Sequence, residues 1–394
     1  MRVLVACKGG FGDVLPLVAV AQELRARGHV PILAAERHHR VLARDLGMAF
    51  RVLPGPSGSP FAEVRAEEVR ALLPLLDSVD LVLINPLAPA VVLAARYIKK
   101  TWVYASATPM VFASPEDPPW WPGLARGQRF LASCSHAQRA AFRLARFVAA
   151  RQSRDIAHVA QAFGIILPGH PRFEGLYSPA ANLLLASTLL SPALPHGPSA
   201  IHCLGFCPYI PPSLENIDAQ RALEDFVGRG EPPVIIAPGG ADRANPRPFV
   251  ELARAACRDH GLRAVVSARA GSLRQLDLGP DLLILPYLPY SILFQGARAV
   301  IHSGGIGSLS WALRSGIPSI VLPSVWDQFD NARRAVARGY GLWPKRSRRH
   351  LYWALQDLVR LESGRILRDA VALGREDGAK SAADFLAARF SVLT

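Results

Sequence analysis

The stretch from Leu285 to Asn331 constrains this chain more than any other. An apolar strand over Ala299–Ile301 runs straight into His302-Ser303-Gly304-Gly305-Ile306-Gly307-Ser308, and the pattern LSWALRSG that follows predicts a helix. A second strand is expected after Gly316-Ile317-Pro318, ending at Pro323, and Asp327-Gln328 opens another helix. Strand, glycine turn and helix N-terminus make a natural anion site. The first N–H groups of a helix lack intrahelical partners, and the dipole favours negative charge there. A glycine cluster alone serves a plain tight turn equally well, so the flanking residues must decide.

Pro289, His302 with its glycine run, Gly316-Ile317-Pro318, Pro323, Asp327-Gln328 and Asn331-Ala332 stand in register along the stretch. In this it resembles the C-terminal donor-binding signature of the family 1 glycosyltransferases, enzymes of the two-domain GT-B fold. The resemblance implies that His302, Gly304, Gly305 and the amides of Ile306, Gly307 and Ser308 hold a donor diphosphate, and that Asp327 and Gln328 hold donor sugar hydroxyls. Read as residues alone, His302 also fits a satisfied core histidine and Asp327 a helix cap.

At the other end, Arg2–Ala6 reads as a buried strand, Gly9-Gly10-Phe11-Gly12-Asp13-Val14-Leu15-Pro16 as the loop after it, and Leu17–Arg27 as a helix. Strands at Val30–Ala35, Phe50–Leu53, Leu81–Ile84 and Trp102–Tyr104 alternate with helical stretches, which predicts a parallel doubly wound sheet. Gly10-Phe11-Gly12 with Glu36 at the end of the second strand invites a dinucleotide site, but Leu15 occupies the third glycine position. Gly12-Asp13-Val14-Leu15-Pro16 instead resembles the acceptor loop of bacterial family 1 members, among them the rhamnolipid rhamnosyltransferase chain, glycopeptide glycosyltransferases and sterol glucosyltransferases. The resemblance implies Asp13 as the candidate general base and Gly12 as part of the acceptor loop. An exposed aspartate, with a pKa near ~3.9, is a weak base, yet a well-placed carboxylate still assists as the bond to the sugar forms. Capping of a helix beginning at Val14 is the other reading of Asp13.

A chain of 394 residues exceeds what one core sustains, so two domains are expected. Half the residues are apolar and 19% are charged, which excludes a disordered chain. Five cysteines without a CxxC pair argue against a disulfide framework and for a reduced, cytoplasmic setting. No apolar run has the length of a membrane span. The formal charge of +14 is the one feature pointing to nucleic acid, and it fits an anionic membrane surface or anionic substrates equally. Nucleic acid is not the expected partner.

Residues 121–154 carry arginine and no carboxylate, with Phe142, Leu144, Ala145 and Val148 interleaved with Arg139, Arg143 and Arg146. Such a helix fits peripheral contact with a membrane, and equally a helix packed on the sheet with its charged face solvated. In the family this region lines the acceptor cleft, and Trp120 and Trp121 hint at a lipophilic acceptor. In the second half, the turn at Gly239 and Gly240 corresponds to a family loop near the donor. The resemblance implies that Tyr287 and Leu288 face the nucleotide base, and Ser310 stands where plant members carry a ribose-gripping glutamate, leaving dTDP-sugars as plausible as UDP-sugars.

The expectation is therefore an α/β protein of GT-B type, two Rossmann-like doubly wound parallel-sheet domains facing across a cleft. Residues 1–207 form the acceptor domain, 208–232 a linker and entry to the second domain, 233–376 the donor domain, and 377–394 a helix returning to the first. The resemblance implies an inverting glycosyltransferase without metal or cofactor, taking a nucleotide-sugar donor and a small lipophilic hydroxyl acceptor. A non-catalytic partner protein of the same fold and a nucleotide-sugar epimerase remain as alternatives.

Overall fold

The computed structural model describes residues 1–55, 63–120, 135–191, 201–239, 245–268, 273, 279–358, 361 and 363–391. The chain divides into two compact units, one holding Met1–Pro119, the segment that ends at Tyr209, and the C-terminal residues from Glu376, the other holding Trp120 and Ile210–Arg375.

The first unit is built on a seven-stranded sheet in the order β3-β2-β1-β4-β5-β6-β7. Its strands are β1 (Arg2–Ala6), β2 (Val30–Ala35), β3 (Ala49–Val52), β4 (Leu81–Ile84), β5 (Trp102–Ser106), β6 (Asn182–Leu184) and β7 (Ile201–Cys203). Every pairing is parallel. A parallel sheet is covered on both faces, so its strands are apolar at successive positions. In β1, Leu4 and Ala6 enter one core while Val3 and Val5 enter the other. Helix α1 (Phe11–Ala26) covers the second face, and the C-terminal helix Gly378–Phe390 packs with it through Ala379, Ala382, Ala383, Leu386 and Phe390.

The second unit carries a six-stranded parallel sheet in the order β10-β9-β8-β11-β12-β13. Its strands are β8 (Val234–Ala237), β9 (Ala264–Ser267), β10 (Leu282–Leu285), β11 (Ala299–His302), β12 (Ser319–Val321) and β13 (Gly341–Leu342). Alternate residues of β8 again serve two cores, Val234 and Ile236 one and Ile235 and Ala237 the other. In each sheet the strand order reverses, at β1/β4 and at β8/β11, and ligands of such sheets bind beyond the carboxyl ends at that reversal.

One local expectation is corrected, and two elements are added to the reading. Helix α1 starts at Phe11 rather than Leu17, because Pro16 fits inside it and forfeits only its own amide bond. Within 208–232, residues Ile217–Gly228 form a helix, N-capped by the Asn216 side chain accepting from the Ala219 amide, and Ala219 and Leu223 enter the second unit's core. Strand β13 is too short to leave a pattern in the sequence. Cys7, Cys203, Cys207 and Cys257 are free thiols.

The C-terminal helix meets the first unit backbone to backbone. A Cβ at Gly378 would lie 2.1 Å from the Gly205 carbonyl oxygen, and neither group can move aside. Gly378→Ala should therefore lower stability by about 1–3 kcal/mol. Gly374→Ala, at a helix position with nothing within 4 Å, should be neutral or slightly stabilising. Paired thermal melts check both, and equal melting temperatures for the two variants would contradict the packing described.

Candidate functional site

At the end of β1 the backbone turns away from the sheet, and side chains take over the bonds that the ladder would have made. Asn85 receives the Lys8 amide on Oδ1 at 3.2 Å and returns Nδ2–H to the Lys8 carbonyl at 2.8 Å. The Gly9 amide donates to Glu36 Oε2 at 2.8 Å, and His39 Nε2–H donates to the Gly9 carbonyl at 2.9 Å. Gly9 has φ +109°, and a Cβ there would strike Leu87 and the Asp13 carboxylate, so only glycine serves.

Asp13 is the third residue of α1 and turns back to accept the Gly10 amide on Oδ2 at 3.0 Å. Its carboxylate is half-buried, and the neighbouring Gly12 is exposed. The cap is thus made from inside the helix, not from in front of Val14, and a carboxylate has lone pairs for a further donor. Burial, reinforced by the Glu36 and Asp13 carboxylates, pushes the Cys7 thiol up and keeps it inert.

Glu36, at the end of the second strand, is a brace for Gly9. With His38 and His39 it forms a trio whose donor atoms lie within 4.8 Å of one another, but Glu36 and His39 are already bonded to Gly9. Beside the loop, Lys8, Leu53, Glu68, Leu72 and Leu87 line a small recess. Burial lowers the Lys8 pKa and raises that of Glu68, each shift opposed by the charge of the other.

In the second unit His302 ends β11 fully buried. Its Nδ1 accepts the Gly304 amide at 3.0 Å, which leaves the proton on Nε2, and Nε2 is buried without a hydrogen-bond partner. Burial lowers the imidazole pKa to about 3, so the ring is a neutral donor at physiological pH. An orphaned buried N–H costs about 1–3 kcal/mol, a cost relieved by an acceptor oxygen.

The helix Ile306–Arg314 begins just beyond, with Gly305 at its N-cap and no side chain bonded to its first amides. Gly304 has φ +92° and lies against Val321 and Gln328, whereas a Cβ on Gly307 would touch nothing within 4 Å. One glycine is needed for close packing and the other leaves the helix end open. Gly239 approaches the same turn, since a Cβ on it would fall 2.4 Å from Ser303 Oγ. Ser303, which sequence reading passed over, also accepts Gln328 Nε2–H at 3.5 Å.

Gln328 is buried, and its Oε1 accepts the Ser324 and Val325 amides at 2.8 and 3.1 Å. Asp327 precedes the helix Gln328–Ala337 but makes no side-chain cap; its Oδ2 accepts Asn331 Nδ2–H at 2.8 Å. Asn331 Nδ2 also donates to the Gly304 carbonyl at 2.9 Å, tying the acidic-Gln loop to the glycine turn. Thus His302, Gly304, Gly305, Ile306, Gly307, Ser303, Gly239, Asp327, Gln328 and Asn331 are brought together around the ends of β8, β11 and β12.

Other expected residues sit elsewhere. The Leu288 side chain is in the core, and Ser308 and Ser310 lie on the buried face of their helix, so only backbone groups of Leu288 are left to face a base. Tyr287 is half-buried, its ring tilted toward Tyr290 at 6.3 Å. Trp120 is buried, with the Arg333 guanidinium 5.5 Å from its ring centroid. On the same helix as Gln328, buried Arg334 pairs with buried Asp330 at 2.6 Å. Gly240 and Trp121 lie outside the described residues.

Residues 252–379 match the family described as Erythromycin biosynthesis protein CIII-like, C-terminal domain. The chain is 27% identical over 355 residues to the O-mycaminosyltylonolide 6-deoxyallosyltransferase of Streptomyces fradiae, covering 82% of this chain and 80% of that one. It is 28% identical over 413 residues to Glycosyltransferase GtfE of Amycolatopsis orientalis, covering 98% and 97%. Among solved structures, Spinosyn Rhamnosyltransferase SpnG complexed with thymidine diphosphate superimposes with a TM-score of 0.66 at 18% identity, covering 97% and 98%.

The state of His302 has a consequence for stability. Its folded pKa, about 3, is below the unfolded value near ~6.5, so between those values the unfolded chain binds the extra proton and stability rises with pH. Denaturation between pH 4 and 6 should show this as about 1.4 kcal/mol per pH unit from one group, absent in His302→Gln. An unchanged slope in the variant would mean that the ring is not buried in neutral form. With the neutral His302, the glycine turn and the open helix end assembled in the second unit, and with these relatives along the chain, the protein is a glycosyltransferase homologous to macrolide and glycopeptide glycosyltransferases, and it shares the two-sheet fold of such enzymes.

Proposed function

We propose that the protein transfers a sugar from a nucleoside-diphosphate donor, dTDP or UDP, to a hydroxyl of a lipophilic natural product, with inversion and without a metal. The observation that carries this is the buried, unpartnered Nε2–H of His302 beside the glycine turn. In the reaction the acceptor oxygen attacks the anomeric carbon from the side opposite the diphosphate. Asp13 takes the hydroxyl proton as the new C–O bond forms and the bond to the diphosphate breaks. The departing charge is met by His302 Nε2–H and the amides of Ile306, Gly307 and Ser308, a preorganised set of donors that needs no cation. Asp327, already oriented by Asn331, accepts a donor sugar hydroxyl, with Gln328 beside it.

The relatives support a natural-product acceptor, since one is named for a macrolide substrate, and a structural neighbour binds thymidine diphosphate. Ser310 supplies no carboxylate for a ribose, which suits a deoxyribose donor equally well. Asp13→Asn keeps an oxygen for the Gly10 amide, so it should leave dTDP and UDP affinity unchanged while lowering transfer by ~10²–10⁴-fold. His302→Ala should weaken nucleotide binding itself. Calorimetry with both nucleotides and turnover on a panel of hydroxylated polyketide and peptide aglycones checks this; full transfer by Asp13→Asn would remove its role as base.

A cytoplasmic enzyme touching the membrane periphery is the accompanying reading, and one observation favours it. On the helix Ser135–Arg151, Leu144 and Phe147 are 54% and 57% exposed, and Arg139, Arg143 and Arg151 share that exposed face. Arg146, grouped with them by sequence, turns inward to Glu174 at 2.5 Å. No helix among the described residues is long and apolar enough to cross a membrane, so contact would be interfacial. Sedimentation with phosphatidylglycerol vesicles should retain the protein and release it when Arg139, Arg143 and Arg151 become Gln. Equal retention by neutral vesicles, or none by either, would exclude an anionic surface as partner.

A further inference from the structure

Among the described residues only two non-glycines have positive φ, Lys99 at 54° and Trp326 at 53°. Lys99 follows the end of the helix Pro89–Tyr97, where a left-handed residue commonly terminates the helix. Trp326 precedes a helix and has no such reason. A bulky residue held in this region is strained, and glycine would occupy it without cost.

The strain is imposed from both sides. Before Trp326, the Ser324 and Val325 amides are held by Gln328 Oε1 and the Ser324 hydroxyl accepts Arg346 Nη1–H at 2.6 Å. After it, Asp327 is held by Asn331, which also grips the glycine turn. Core packing does not account for the ring, which is 41% exposed. A large aromatic kept strained, rigidly based and solvent-exposed at the carboxyl end of β12 has a surface to offer a ligand.

We infer that Trp326 is a specificity-determining residue for the donor sugar, its indole taking the C–H-rich face of a hexopyranose while the adjacent Asp327 takes a hydroxyl, and that it favours a 6-deoxyhexose over the parent hexose. An indole gains from a methyl group what it loses on desolvating a hydroxymethyl. The inference rests on the donor reading of the second unit.

The test compares wild type, Trp326→Phe and Trp326→Gly by calorimetry with dTDP, dTDP-glucose and dTDP-6-deoxyglucose, two sugars that differ by one oxygen. Wild type and Trp326→Phe should bind the deoxysugar donor at least about fivefold tighter than dTDP-glucose. Trp326→Gly should lose that preference, bind dTDP as wild type does, and melt no lower, since glycine relieves the strain. Retained preference in Trp326→Gly, or none in wild type, would overturn the inference while leaving nucleotide binding intact. Absence of dTDP and UDP binding in wild type would instead remove the donor reading and this inference with it.

Discussion

Both units depend on one constraint: a parallel strand that stops at a sheet's carboxyl end leaves amides and carbonyls that the ladder no longer pairs. In the first unit Asn85, Glu36 and His39 pair the groups of Lys8 and Gly9, and Asp13 pairs that of Gly10. In the second, His302, Gln328 and Asn331 do the same for Gly304, Ser324 and Val325. These bonds hold the loops in one shape before any substrate arrives. Preorganisation of that kind is what lets donors act on developing charge without first rearranging.

The two loops differ in what they present: the first a carboxylate, the second a neutral imidazole N–H and helix amides. Neutrality of His302 matters here, because a charged ring in the core would require a permanent counterion, whereas a neutral N–H waits at modest cost.

Much of the fold was legible because parallel strands buried on both faces are short apolar runs, and the glycine turns between strand and helix have few alternatives. β1 to β5, β11 and β12 lie within a residue or two of their expected spans. What escaped has physical reasons. Pro16 concealed the first turns of α1, since proline is read as a breaker. The Asn216 cap was masked by the prolines before it, and β13 spans only Gly341–Leu342. Of the site, His302 and the glycine run stand out in one continuous stretch. Glu36, His39 and Asn85 act through backbone groups at the end of another strand, and pairing of that kind leaves no local pattern. Leu288 and Ser310 show the converse, where register in a motif says nothing of which way a side chain turns.

The C-terminal helix has a consequence for how the chain is made. Glu376 accepts the Ser187 hydroxyl and the Phe206 amide, and Gly378 donates to the Phe206 carbonyl, so the first unit is completed only by residues that leave the ribosome after the second unit. The apolar face of α1 that Ala383 and Leu386 cover stays uncovered throughout synthesis of the second unit. For most of translation, then, the half that is made first is the half that is unfinished, and the second unit can close its own core before the first does.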